Sequence, residues 1–367
     1  MVGLHNLARR RKWPEMLSVL NCHGVFRGGT TSSELYAVLI TSYSSRSISE
    51  RAAPAYTDAM ASPSGWMLGS CLWLGVASAG AVSPCSTKSP EATSTASAAP
   101  STIPYGQGLL FRVERADAPA SHIFGTIHLD YPRVTRLPPE VNLTLLHSRR
   151  LVLETVIDEE AQQLYSQRMY LPEDRTLAQW LDSELLARYE KLAARYDVPA
   201  DVAMRLTPWA ATNLIGRPKP TTGRTMEDVL REMAIQLGRP VYGLETIDEL
   251  IEAQEDMPID DQVTVLEDTI CNHRKVMEQT GQLLLLYASG DLSGLVALDE
   301  GDHNDEALFQ RINERMLYAR SAQMVRRLQE HLTAGSALIA VGASHLPGER
   351  GILRLLEKQG YTITRKF

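Results

Sequence analysis

The sequence predicts an α/β fold of the α+β kind: a central mixed sheet with two β–GxxH–loop–α–β units and a large helical insertion. Three observations carry this reading. "HIFGTIHLDYP" at 122–132 and "LIAVGASHLPGERG" at 338–351 each run an apolar strand into Gly-x-x-His and a proline-containing loop. Each is followed by a helical stretch and a further strand, the order that feeds parallel strands into a sheet. Between them lies a long, mostly helical segment with one short strand, "RPVYGLET" at 239–246.

Taken in chain order, residues 109–115 read as a strand, residues 117–119 (Asp-Ala-Pro) as a turn, and residues 121–124 as the strand that ends in the first motif. A helix is expected over 140–149, because proline just before a helix costs no hydrogen bond there. Residues 151–157, "LVLETVI", form the next strand, and the unit is expected to set parallel strands side by side. Apolar residues at Met226, Val229, Leu230, Met233, Ala234 and Leu237 give the spacing of one helical face over 225–238, leading into the strand at 239–246. The remainder reads as helices at 176–196, 247–256, 261–288 and 305–334. The second motif then gives a strand ending at Gly342, a helix closed by Gly360, and a last strand, "YTITRK".

This folded part spans 105–367, one large domain. Residues 1–59 show no sustained periodicity and read as an unassigned leader or a mistaken start. Residues 60–81 read as a signal peptide, because the apolar run is short for a membrane span and ends in small-x-small sites. Residues 82–104 are Ser/Thr/Ala/Pro-rich and read as a flexible linker. Export to the periplasm or beyond is therefore expected, with retention by an N-terminal anchor as the alternative. The folded domain shows no membrane span.

With a formal net charge of -7 and no basic stripe, nucleic acid is not an expected partner. The 4 cysteines form no CxxC pair, so neither a zinc ribbon nor a disulfide framework is readable, and Cys271 and His273 are expected mid-helix on different faces. There is no GxSxG, Walker loop, HExxH or dinucleotide fingerprint.

His128, Glu154, Glu245 and His345 all stand just beyond or at the end of apolar strand-like runs. In an open α/β sheet that edge is where ligands bind. Imidazole and carboxylate are ordinary ligands of a catalytic divalent metal. Gly125 and Gly342 precede the histidines, where a residue without a side chain allows a sharp turn or a close approach. Each has a plainer reading: a hydrogen-bonded strand-end His, Glu154 as a cap, Glu245 as a charge at the start of the helix 247–256. Arg320 falls four residues from both Met316 and Met324, on the inward face of its helix. A buried guanidinium must pair with a carboxylate such as Glu154 or point into a polar cavity. Arg327 shares that face and is expected to reach the last carbonyls of the helix.

"FGTIH" with "LVLET", "GRPVYGLET", "RMLYARSAQMVRRL" and "AVGASHLPGERGILRLLEKQGYTI" resemble the TraB/PrgY/GumN family, related to the Tiki metalloproteases, in its GumN-like branch. The resemblance implies an α/β fold whose two GxxH motifs, a Glu and an Arg converge on one site. These correspond to Gly125, His128, Glu154, Arg320, Gly342 and His345. It also implies a divalent metal, manganese or cobalt with zinc as a further option, held by His128, His345 and Glu154, and hydrolysis of a peptide or protein. Where the family usually has Asn after the Arg, this chain has Ser321, so a hydrogen-bonding amide is lost.

The leading expectation is a metal-dependent hydrolase, peptidase-like, with Arg320 stabilising the oxyanion or holding a substrate carboxylate, and Glu245 or Glu154 as the base. The alternative is a non-catalytic protein that captures a peptide or signal in the same cleft. Substrate and oligomeric state are not readable.

Overall fold

The computed structural model describes Cys85 and residues 103–301 and 305–367. The leader over 1–59, the signal peptide over 60–81 and most of the linker over 82–104 lie outside the described residues.

Strand β1 (Leu110–Arg115) turns back into β2 (Ala118–Thr126), antiparallel, with Phe111 opposite Ile123. The first motif and its loop follow, then α1 (Pro139–His147) and β3 (Arg150–Thr155). The insertion begins with α2 (Glu159–Arg168), α3 (Ser183–Ala193) and α4 (Pro208–Ile215). Helix α5 (Met226–Gln236) returns to the sheet and feeds β4 (Val241–Glu245). Then come α6 (Ile247–Glu255), α7 (Ile259–Cys271), α8 (His273–Ala288), α9 (Leu292–Asp299) and α10 (Glu306–Asn313). A π-helical turn, Glu314–Ala319, joins α10 to α11 (Arg320–Ala334). The chain ends with β5 (Ala337–Gly342), α12 (Ile352–Lys358) and β6 (Thr362–Arg365).

The six strands form one mixed sheet in the order β4-β3-β5-β2-β1-β6. The four strands β4, β3, β5 and β2 are parallel neighbours, and β1 runs against both β2 and β6. The expected α/β class and the helical insertion are therefore both present. One detail differs: the strands of the first unit, β2 and β3, are not side by side, because β5 lies between them and pairs with both. Residue 126 of β2 is level with Gly342 of β5, and Thr155 of β3 is level with Glu245 of β4. The carboxyl ends of the four parallel strands thus share one edge.

Every residue of β5 is buried. That suits a central parallel strand covered on both faces, which reads as a continuous apolar run. Apolar faces of α5 (Met226, Leu230), α11 (Met324, Leu328) and α12 (Ile352, Leu356) close over the sheet. Burying each such side chain contributes about 1.5–3 kcal/mol, which fixes the strand register. The insertion has its own core around Trp209, Tyr165 and Tyr189, where Tyr165 meets the Trp209 ring edge-on.

Three local expectations change. The stretch 176–196 is a short 3₁₀ turn at Leu177–Gln179 and then α3, capped by Asp182. The long helix expected over 261–288 is two helices broken at Asn272, so Cys271 and His273 sit at a helix junction rather than mid-helix. Cys271 bonds Cys85 in a disulfide across 186 residues, a bond that the cysteine spacing left unread. A pairing between a linker and a distant helix end leaves no spacing signature in a sequence.

Candidate active site

The sheet edge collects all five predicted side chains. Glu154 is the penultimate residue of β3 and Glu245 the last of β4; His128 follows β2 and His345 follows β5. Arg320 reaches the same edge from α11. All five are buried, His345 completely.

Arg320 joins the two carboxylates. Its Nη2 donates to Glu154 Oε1 and, at 2.6 Å, to Glu245 Oε2, while its Nε lies 3.1 Å from both Glu245 oxygens. Its Nη1 donates to the Met316 carbonyl one turn back, inside the π-helical turn. Such turns are frequent at functional sites because they change which side chains share a face. Here the neighbours Arg320 and Ser321 both reach the site: Ser321 Oγ lies 2.8 Å from His345 Nδ1. Ser321 thus sets a hydroxyl against the ring of the second motif. The plainer reading of Glu245 fails, because Thr246 caps α6 in a box with Glu249. Arg327 donates to the Leu244 carbonyl of β4 and to Glu249, not to the carbonyls at the end of its own helix.

Glu154 is the centre of the arrangement. Its Oε2 accepts from the Gly342 backbone N–H at 3.1 Å and lies 3.6 Å from His128 Nε2. Its Oε1 lies 3.9 Å from His345 Nε2. The motif glycines serve close approach rather than the turn, since neither adopts a positive φ. A Cβ on Gly125 would stand 2.8 Å from Leu346 Cδ1, beyond the second motif.

Three contributors were not legible in the sequence. Glu227, in the first turn of α5, places Oε1 2.8 Å from His128 Nδ1. Tyr287 of α8 donates to the Gly125 carbonyl at 2.9 Å. Asp130, two residues after His128, accepts the backbone N–H groups of Thr221, Thr222 and Gly223, tying the insertion's loop to the first motif. The signal for Glu227 was present only as an acidic residue at a helix start, which is commonplace.

Burial and charge split the titrations. Burial opposes charge on His128, yet Glu227 and Glu154 outweigh it and raise its pKa to about 10. Burial lowers His345 to about 4, with Glu154 opposing and Arg320 reinforcing. Burial also disfavours the charged carboxylates. For Glu154 the Arg320 guanidinium and the histidines win, and its pKa falls well below the usual range. For Glu245 burial wins over Arg320, with Glu154 adding repulsion, and its pKa rises. Two carboxylates on one guanidinium are thus pushed in opposite directions.

Among the described residues, no group of three or more His, Cys, Asp or Glu side chains is arranged so that it could hold a metal ion. The donor chemistry nevertheless fits a divalent cation. His128 Nε2 is buried with no hydrogen-bond partner, and it faces the Glu154 carboxylate near His345. An unsatisfied imidazole nitrogen beside a carboxylate is what a cation would satisfy.

The model of the TraB/PrgY/gumN family matches residues 109–365. A metalloprotease TIKI homolog from Amphimedon queenslandica is 23% identical over 314 residues, covering 70% of this chain and 61% of that protein. The chain thus spans about 61% of the length of the curated relative it matches. No solved structure matches. Among the described residues no helix is long and apolar enough to cross a membrane.

Proposed function

The chain belongs to the TraB/PrgY/gumN family, and from that premise we propose that it is a divalent-metal-dependent hydrolase of peptide bonds acting outside the cytoplasm. The observation that carries this reading is the convergence of two imidazoles on one buried carboxylate: His128 Nε2 lies 3.6 Å from Glu154 Oε2 and His345 Nε2 3.9 Å from Glu154 Oε1, both beyond hydrogen-bond distance. The relative described as a metalloprotease supports a metal and a peptide or protein substrate.

His128, His345 and Glu154 would hold the ion, manganese or cobalt, with zinc as the further option. A bound divalent ion supplies a water of lowered pKa and polarises a carbonyl. The rest is the work of the chain. Arg320 fixes Glu154 and Glu245 on one guanidinium and, as the cation of the site, is the group that would stabilise an oxyanion formed there. Glu245, whose pKa is raised, is the more basic of the two carboxylates and the one suited to accept a proton, and Glu154, kept ionised, is suited to act as ligand. The buried edge excludes water that would weaken these charges. Export is supported by the Cys85–Cys271 disulfide, since such bonds persist in oxidising compartments.

The test is metal analysis of the full chain beside His128→Ala and His345→Ala, with a peptide-library digest with and without chelator. Wild type should retain Mn, Co or Zn after loading, and both variants should lose most of it. Equally negligible metal in all three would sink the metal reading. Metal retention with no cleavage of any peptide would favour the rival, a binding protein using the same cleft.

A further inference from the structure

Each motif imidazole is held from behind by a side chain that lies outside both motifs. His128 Nδ1 lies 2.8 Å from Glu227 Oε1, and His345 Nδ1 lies 2.8 Å from Ser321 Oγ. Glu227, Ser321 and both rings are buried, so no bulk water competes for these contacts.

The hydrogens in these contacts follow by elimination. A hydroxyl carries one hydrogen, and that of Ser321 is donated to the Leu317 carbonyl at 2.8 Å. Toward His345 its oxygen can then only accept, so the hydrogen is on His345 Nδ1, where the Leu317 carbonyl is a second acceptor beside Ser321 Oγ. An ionised carboxylate has no hydrogen to give. Glu227 sits in the first turn of α5, where the exposed N–H groups favour negative charge. Its contact therefore requires the hydrogen on His128 Nδ1. In both rings the remaining nitrogen, Nε2, is the one that faces Glu154, at 3.6 Å and 3.9 Å.

We infer that Glu227 and Ser321 are positioning residues that hold both imidazoles with the hydrogen on Nδ1, so that Nε2 of each ring is the atom offered to whatever occupies the site at Glu154. The two holds are unequal. A carboxylate behind His128 makes that ring the more strongly donating partner, whereas a hydroxyl behind His345 fixes its orientation without adding charge. On His128, whose pKa is raised to about 10, a cation would take the place of a second hydrogen on Nε2; the hydrogen on Nδ1 of each ring does not depend on the metal.

The experiment uses the full chain, metal-free and labelled with nitrogen-15 histidine, whose ring signals report which nitrogen carries hydrogen. His345 is identified by the signals lost in His345→Gln. In wild type and in Ser321→Asn, which restores an acceptor, the hydrogen should be on Nδ1; in Ser321→Ala the ring should shift toward the Nε2–H form. A wild-type ring with its hydrogen on Nε2, or an unchanged ring in Ser321→Ala, overturns the role of Ser321. Glu227→Gln keeps the shape and removes the charge. With near-UV circular dichroism unchanged, it should bind Zn2+ tenfold or more weakly than wild type. Equal Zn2+ affinity overturns the role of Glu227. If wild type itself binds no Zn2+, the metal reading falls, and the ring spectra alone decide: the hydrogen should leave His345 Nδ1 in Ser321→Ala and His128 Nδ1 in Glu227→Leu, which removes the acceptor, and an unchanged ring in either overturns the role of that residue.

Discussion

Gly342, the glycine of the second motif, faces His128, the histidine of the first. A Cβ there would stand 3.1 Å from His128 Nε2, with His345 Cδ2 at 3.4 Å and Glu154 Oε2 at 3.5 Å around it. The two motifs therefore interlock, and the missing side chain leaves the space in which three candidate ligands converge.

Gly342→Ala tests that space. The added methyl should push the His128 ring back, with an overpacking cost of about 1–3 kcal/mol. The checks are the urea midpoint and divalent-cation affinity, both expected to fall. An alanine variant with wild-type midpoint and affinity would show that the three side chains converge more loosely than these distances require.

Arg320→Met should leave Glu154 and Glu245 facing each other without their shared cation. Removing one partner from a buried ionic group costs on the order of 3–5 kcal/mol. Adding Glu245→Gln to that variant should recover part of the loss, because only one carboxylate then stays uncompensated. Strictly additive unfolding free energies for the pair would contradict a coupled triad.

Reduction of Cys85–Cys271, or replacement of both by serine, should lower stability by about 2–5 kcal/mol, the usual range for a disulfide closing a long loop. Unfolding with and without reductant is the measurement, and non-reducing peptide mapping should recover the 85–271 cross-link. A map that pairs Cys85 with another cysteine would refute this bond.

Acid should loosen the start of α6. Arg327 and the Thr246 backbone, against a smaller cost of burial, hold Glu249 down to about 2. A carboxylate with a depressed pKa contributes stability above its unfolded value near 4.5, and the contribution disappears as pH falls through about 2. The protection factors of α6 amides, exchange rates taken relative to the intrinsic rate at each pH, should therefore fall between these values in wild type. In Glu249→Gln the same amides should show a smaller acid response; an identical response would assign the acid sensitivity elsewhere.

Much of the site was legible because strand-end placement follows from local pattern. An apolar run ending in Gly-x-x-His puts the imidazole beyond a buried strand, so the pattern alone assigns His128 and His345 to one edge. Glu154 and Glu245 followed from the same rule, and Arg320 from the helical spacing of Met316 and Met324. Glu227, Ser321 and Tyr287 act across elements 99, 24 and 162 residues from their partners His128, His345 and Gly125. Nothing local distinguishes Glu227 and Tyr287 from ordinary cap or core residues, and Ser321 stands out only as a serine where Asn is usual, with no sign of its partner. The Cys85–Cys271 bond escaped for the same reason.

The sequence by itself determined the α/β class, the two motif units and the set of charged residues that a buried sheet edge would have to satisfy, because periodicity and strand termination are properties of neighbours along the chain. Only the tertiary structure decided that β5 inserts between β2 and β3, which brings the two motifs side by side and sets Gly342 against His128. It also decided that Arg320 bridges both carboxylates rather than one. Strand order and ion pairing depend on which surfaces are buried together, and chain order alone does not contain that information.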